Sequence, residues 1–285
     1  MARRHRWSTP TGDLVHIDAT ADRHRPYASR VLHDSTTPVD WSDYAAVLFD
    51  LDGVVTPTAE VHMRAWAEMF NAFLSEGDAG GGDRAAYTDA DYFAHVDGKP
   101  RFDGVRDFLS SRGIELPEGE DDDPADRETV KGLGNRKNDA FNAVLARDGV
   151  EGYPGSVRLL DHLRSLGLPL AVVSSSANAP AVLETAGLRD RFAEVVDGAV
   201  AKAEGLPGKP APDTFVRAAE LLGTDAAHSV VLEDAVSGVR AGAAGDFALV
   251  IGVDRGAGVQ TLTDAGAHLV VADLDELVPT TQDAP

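Results

Sequence analysis

The chain has 285 residues, 43% of them hydrophobic, and 26 Lys and Arg against 47 Asp and Glu give a formal net charge of −21. A chain this long hides roughly three quarters of its extended surface on folding and needs no staples; it has no cysteine, which excludes disulfides, thiolate nucleophiles and thiolate-held metals. The acidic balance argues against nucleic acid or anionic membrane as partners, no apolar run approaches a membrane span, and the basic N-terminus lacks the apolar stretch of a secretory signal, so a cytoplasmic protein, monomeric or weakly dimeric, is expected.

Residues 1–42 read as a polar extension, partly ordered, with Leu14, Ile17 and Tyr27 as candidate anchors. The apolar run from Ala45 to Phe49 ends in acids at Asp50 and Asp52, as a buried parallel strand does at its carboxyl end. A helix is expected from Ala59 to Leu74, because Met63, Trp66, Phe70 and Phe73 recur at helical spacing on one stripe. The glycine-rich segment 77–82 breaks it, and further helical pieces run to about Asp148 around the acidic loop 118–123.

From Tyr153 the pattern alternates. A helix carrying Val157, Leu160 and Leu163 precedes a strand at 168–173, and a helix at 180–186 precedes one near 194–196. A helix at 214–222 leads to a strand at 229–232, and strands follow at 248–252 and 268–271. The stretch 252–258 reads as a plain loop, since its glycine spacing is not that of a dinucleotide fingerprint. The expected fold is α/β, a doubly wound parallel sheet of Rossmann-like type. Its core takes residues 43–56 and 148–285, and the helical block 57–147 is an inserted domain.

Ligands of such sheets sit beyond the carboxyl ends of the strands. The residues there are Asp50 and Asp52, Ser174 to Ser176, and Glu233 with Asp234, while Lys209 lies in a proline-rich loop. Carboxylates ~4 Å apart repel by ~4 kcal/mol at an effective dielectric of ~20, so the cluster calls for a divalent cation. An all-oxygen donor set favours Mg²⁺. An anionic substrate of so acidic a chain must be held by a few placed cations, and only five lysines exist: Lys99, Lys131, Lys137, Lys202 and Lys209. Each residue also has a plainer reading: helix caps for the acids and serines, a satisfied core histidine for His62, surface pairs with Asp103 for Arg101 and with Asp139 for Lys137.

Four ordered motifs carry a resemblance. Phe49-Asp50-Leu51-Asp52-Gly53-Val54-Val55, Val172-Val173-Ser174, Lys209-Pro210 and Leu232-Glu233-Asp234 resemble the motifs of the haloacid dehalogenase superfamily of aspartyl phosphotransferases. The resemblance implies Asp50 as nucleophile and Asp52 as general acid/base. It implies Mg²⁺ on Asp50, Asp52 (through its backbone carbonyl), Glu233 and Asp234, and the transferring phosphoryl on Ser174, Ser175 and Lys209. A closer similarity, over about 44–275, is to the β-phosphoglucomutase subgroup, through the segments 58–66, Gly98-Lys99-Pro100-Arg101, Asn135-Arg136-Lys137-Asn138 and Ser174 to Asn178. It implies a phosphorylated sugar as substrate, a helical cap, and His62, Arg101, Lys137 and Asn178 as substrate or cap residues. Ala177 and Gly104 stand where that subgroup usually has lysine and serine. The function expected is isomerisation of a hexose 1-phosphate through a bisphosphate, with a sugar-phosphate phosphatase as the close alternative and a non-catalytic phosphate-binding protein as a remote one.

Overall fold

The computed structural model describes residues 39–76 and 80–279. The candidate anchors Leu14, Ile17 and Tyr27 lie outside the described residues. Six strands form one parallel sheet: β1 (Ala46–Phe49), β2 (Leu170–Val173), β3 (Glu194–Val196), β4 (Ser229–Glu233), β5 (Leu249–Val253) and β6 (Leu269–Val271), in the order β3-β2-β1-β4-β5-β6. The sequence order reverses between β1 and β4, which pair from Ala46 with Ser229 to Phe49 with Leu232. Loops leaving the carboxyl ends of these two strands diverge there and open the crevice.

Both faces of the sheet are covered, which is why its strands read as continuous apolar runs. Val47, Phe49, Val172, Val230, Leu232 and Ile251 face one core cluster. Leu48, Ala171, Val173, Val231 and Val250 face the other. The first cluster also takes in Val39 and Trp41, whose indole Nε1 donates to the Leu277 carbonyl at 3.3 Å. The packed body therefore begins earlier than the polar composition of residues 1–42 indicates, because one Trp outweighs its polar neighbours in buried area.

Between β1 and β2 the chain builds a helical insertion. It contains α1 (Thr58–Ser75), the single turn α2 (Asp89–Asp91) running into a π-helical turn Tyr92–Val96, α3 (Arg101–Ser111) and α4 (Val130–Asp148). Trp66, Phe70 and Phe73 of the predicted stripe are buried there against Tyr87, Phe108 and Leu133, with Met63 at the edge. The rest of the chain alternates: α5 (Pro154–Ser165), α6 (Ala179–Thr185), α7 (Gly198–Glu204), α8 (Asp213–Leu221), α9 (Val236–Ala244) and α10 (Val259–Ala265). Two of these, α7 and α10, fall where the sequence offered no helical stripe. Among the described residues no helix is long and apolar enough to cross a membrane.

Candidate active site

The carboxyl end of β1 delivers Asp50 to the crevice, nearly buried, with its backbone N–H on the Leu232 carbonyl of β4 at 2.9 Å. Lys209 reaches it from the loop before α8. Its side chain, 1% exposed, donates to Asp50 Oδ1 at 2.5 Å, Glu233 Oε1 at 2.6 Å and the Val173 carbonyl at 3.1 Å. Three strands thus converge on one cation. Burial would lower the Lys209 pKa, but the Asp50 and Glu233 carboxylates outweigh it and hold the amine above its ordinary range. Asp50 itself is raised well above the usual carboxylate range, by burial first and by the charges of Glu233 and Asp52. The side chain of Lys209 thus leaves its Pro-rich loop for the crevice and is buried there.

Asp52 sits two residues on, beside Gly53 at φ +94°. Thr58 Oγ1 donates to Asp52 Oδ1 at 2.5 Å, and Ser174 Oγ donates to Oδ2 at 3.3 Å. His62 stacks on Phe141, ring centroids 4.0 Å apart, with Nε2 3.3 Å from Asp52 Oδ1. The Lys137 ammonium meets His62 Nδ1 from α4. Nδ1 accepts, so the neutral ring carries its proton on Nε2, toward Asp52. Burial and the Lys137 charge lower the His62 pKa, consistent with a neutral ring. Burial brings Lys137 to about 7, against the pull of Asp52. Asp52 ends at about 2, because His62, Thr58 and Lys137 overcome its burial. The sequence pairing of Lys137 with Asp139 is replaced by this chain of contacts.

Glu233 has both oxygens engaged, one by Lys209 and the other by the Ala235 N–H at 2.7 Å. Gly238 keeps room for it, since a Cβ there would lie 1.6 Å from Glu233 Oε1. Glu233, a metal ligand by the resemblance, sits here beneath Lys209, with one donor on each oxygen. Asp234 faces the crevice, and a Cβ on Gly53 would lie 1.9 Å from its Oδ2. Burial, then the Glu233 and Asp50 charges, raise its pKa well above the usual range. Among the described residues no three His, Asp or Glu side chains converge as a ready metal cage. The donor set nevertheless fits a hard divalent cation. Asp50 and Glu233 share one lysine, while Asp234, packed against Gly53 and lining the same cavity, forms no ion pair among the described residues.

The insertion closes over these groups. Ser175 Oγ donates to the Gly98 carbonyl at 2.8 Å, Ser237 Oγ to the Asp97 carbonyl at 3.0 Å, and Asn178 Nδ2 to Asn138 Oδ1 at 2.8 Å. Ser175 and Asn178 therefore serve as contacts between core and insertion in this arrangement. The cavity beneath the insertion is about 720 Å³, opens to solvent, and reaches from Asp50 to Arg101 on the first turn of α3. Arg101 forms no ion pair among the described residues, and its Nε is buried without a hydrogen-bond partner. Asp103, its expected partner, is taken by Arg106. Burial lowers the Arg101 pKa.

Asp97 is a cavity residue that the sequence did not single out. Burial, then the Glu233 charge, raise it to about 7. Its signal was present as an acid directly before the Gly98-Lys99-Pro100-Arg101 segment, but only the closing of the insertion gives it meaning.

A buried carboxylate on a buried lysine, a second acid two residues later and a helical insertion above them suit a phosphoryl-transfer type of site. A family model for haloacid dehalogenase-like hydrolases matches residues 44–246, and the chain belongs to that family. It is a homologue of the β-phosphoglucomutases. It is 52% identical over 239 residues to the β-phosphoglucomutase of Mycobacterium tuberculosis, covering 82% of this chain and 91% of that one. It is 32% identical over 237 residues to that of Bacillus subtilis, covering 81% and 91%. The fold is that of a β-phosphoglucomutase structure from Clostridium difficile, with a TM-score of 0.65 at 24% identity over 82% of this chain and 93% of that one.

Proposed function

We propose that the chain isomerises a hexose 1-phosphate to the 6-phosphate, with Asp50 as the phosphoryl-carrying nucleophile and a sugar bisphosphate as intermediate. The observation that carries this reading is the Arg101 side chain, which lines the cavity without a carboxylate partner while Lys209 is committed at the other end. A mutase needs a second anion site, because one phosphate must be held while the other is transferred. Asp50 attacks phosphorus and becomes an acyl phosphate. Asp52, ionised in the resting site, takes the proton of the sugar hydroxyl that receives the phosphoryl from Asp50 and returns it to the sugar oxygen that departs when Asp50 is phosphorylated again. His62 and Lys137 hold Asp52 in place, Ser174 and Lys209 bind the transferring oxygens, and the closed insertion keeps water from the acyl phosphate. Mg²⁺ fits Asp50, Asp234 and the backbone carbonyl of Asp52, where it would supply the positive charge that lets an anionic phosphoryl approach a carboxylate.

Arg101→Ala should depress isomerisation of β-glucose 1-phosphate about 10- to 150-fold more than hydrolysis of acetyl phosphate. The range corresponds to loss of a charge-assisted contact of ~1.5–3 kcal/mol. Both rates are measured in wild type and variant at saturating Mg²⁺. An equal fall in the two, or a wild type that only releases inorganic phosphate from hexose phosphates, turns the reading to a phosphatase.

The metal has its own test. Activity should vanish after exhaustive chelation and return with Mg²⁺, while Ca²⁺ inhibits because it demands more ligands than this cleft offers. Full activity in the chelated protein would remove Mg²⁺ from the proposal.

A further inference from the structure

The cavity end that holds Arg101 carries more positive charge than one arginine. Lys131 on the first turn of α4 and Lys202 on α7 both line the cavity, and both ammonium groups converge on one carboxylate, Asp121. Lys131 Nζ lies 2.9 Å from Asp121 Oδ1, and Lys202 pairs with Oδ2. Lys131 and Asp121 belong to the insertion, Lys202 to the core, so the triad straddles the mouth.

The other cations nearby are already paired. Lys99 pairs with Asp107, and Arg106 with Asp103 and Glu118. Two lysines sharing one carboxylate leave one positive charge, and Arg101 brings a second. Together the three side chains offer cationic donors to a phosphate monoester dianion. Asp121 also bears on Arg101 directly, since its charge is among those that raise the arginine's pKa against burial. The two lysine hydrogen bonds hold Asp121 at about 2, as a fixed anion.

The core side of this end has a reason to draw its cation from α7. Ala177 supplies no charge in the loop beside Asn178. The start of α7 lies directly against that loop: the Gly198 N–H donates to the Ser176 carbonyl at 3.4 Å, and a Cβ on Gly198 would come 2.6 Å from the Ser175 carbonyl oxygen. Lys202 follows one turn later and reaches the same mouth.

We propose that Lys202 and Lys131 join Arg101 in holding the phosphate that is not being transferred, with Asp121 as an internal counter-ion that this phosphate displaces. The inference rests on the mutase reading and names the residues that set its second anion subsite. A carboxylate held by two lysines near an unpaired guanidinium marks where an anion is stable, and a dianion that also reaches Arg101 is the better occupant.

The test is calorimetric binding of glucose 1,6-bisphosphate in an Asp50→Asn background, where no phosphoryl can transfer. Lys202→Met should weaken binding about tenfold, and Asp121→Asn should tighten it about threefold or more, because the competing anion is gone. Adding Lys202→Met to Asp121→Asn should still weaken binding. A pair that only latches the insertion shut behaves differently: both single variants weaken binding and the second change adds nothing. That pattern, an unaffected Lys202→Met, or a parent that does not bind the bisphosphate, overturns the proposal. Wild-type turnover of β-glucose 1-phosphate, measured alongside, separates the two readings. Isomerisation with unresponsive variants removes the subsite alone. Opposite shifts in an enzyme that only hydrolyses remove the mutase reading and leave the subsite standing.

Discussion

Asp50→Asn should lose at least about 10³-fold in turnover, ~4 kcal/mol of barrier, while the protein melts within a few degrees of wild type. The amide has the shape of the carboxylate, and its carbonyl oxygen can still accept from Lys209, so the three-strand junction on that lysine survives. What it lacks is a second anionic oxygen to form the acyl phosphate. Chromatographic assay of isomerisation and of acetyl phosphate hydrolysis checks both half-reactions, and circular dichroism checks the fold. Activity within about tenfold of wild type would exclude Asp50 as nucleophile.

Lys209→Met should be the most destabilising single change in the site. It fills the same space but leaves two buried carboxylates without their cation, and breaking a buried pair in this way costs roughly 3–5 kcal/mol. For a body of this size that lowers the melting temperature by about 10 °C. The pH dependence has a definite sign. Asp50 is raised by burial even beside Lys209, and without that cation it would bind its proton still more readily folded than unfolded. Stability of the variant is then present at low pH and lost as pH rises through the folded pKa, so the deficit against wild type grows from pH 5.5 to pH 8. Thermal melts of both proteins at the two pH values decide it. A variant within about 2 °C of wild type at pH 8 would show that the lysine is not the electrostatic centre of the junction.

The parts of this molecule that are legible in its sequence are those whose burial is uniform. Each central strand is covered on both faces, so Ala46–Phe49 and, within β4, Val230 to Leu232 appear as unbroken apolar runs, and the acids after them mark the crevice. The α1 stripe is legible because Trp66, Phe70 and Phe73 all turn to one cluster. By contrast α7, Gly198 to Glu204, contains no fully buried side chain. It carries no stripe to read, and it is held by its Asp197 cap, whose carboxylate accepts from Ala199 and Val200 N–H. The helix α10 buries only Leu262 and is just as faint. The site divides in the same way. Asp50, Asp52, Lys209, Glu233 and Asp234 lie at strand ends or in a loop that the topology brings together. Asp97 and the triad on Asp121 depend on how the insertion meets the core, and no local pattern encodes that meeting.

The placing of the lysines has a practical consequence. All five of the chain's lysines are gathered here: Lys99, Lys131, Lys137 and Lys202 line the cavity, and Lys209 lies on Asp50 beneath it. The remaining exterior offers arginine but no side-chain amine to an acylating reagent. Biotinylation, reductive methylation or enzymatic acetylation of lysine therefore strikes the rim first, at Lys202 with 67% of its side chain exposed, and the Lys209 amine, 1% exposed, last. Coupling the protein to a sensor chip through lysine would seat every molecule mouth-down and plug its own entrance. A bound phosphate ester, in turn, should be visible as a drop in label incorporated per chain.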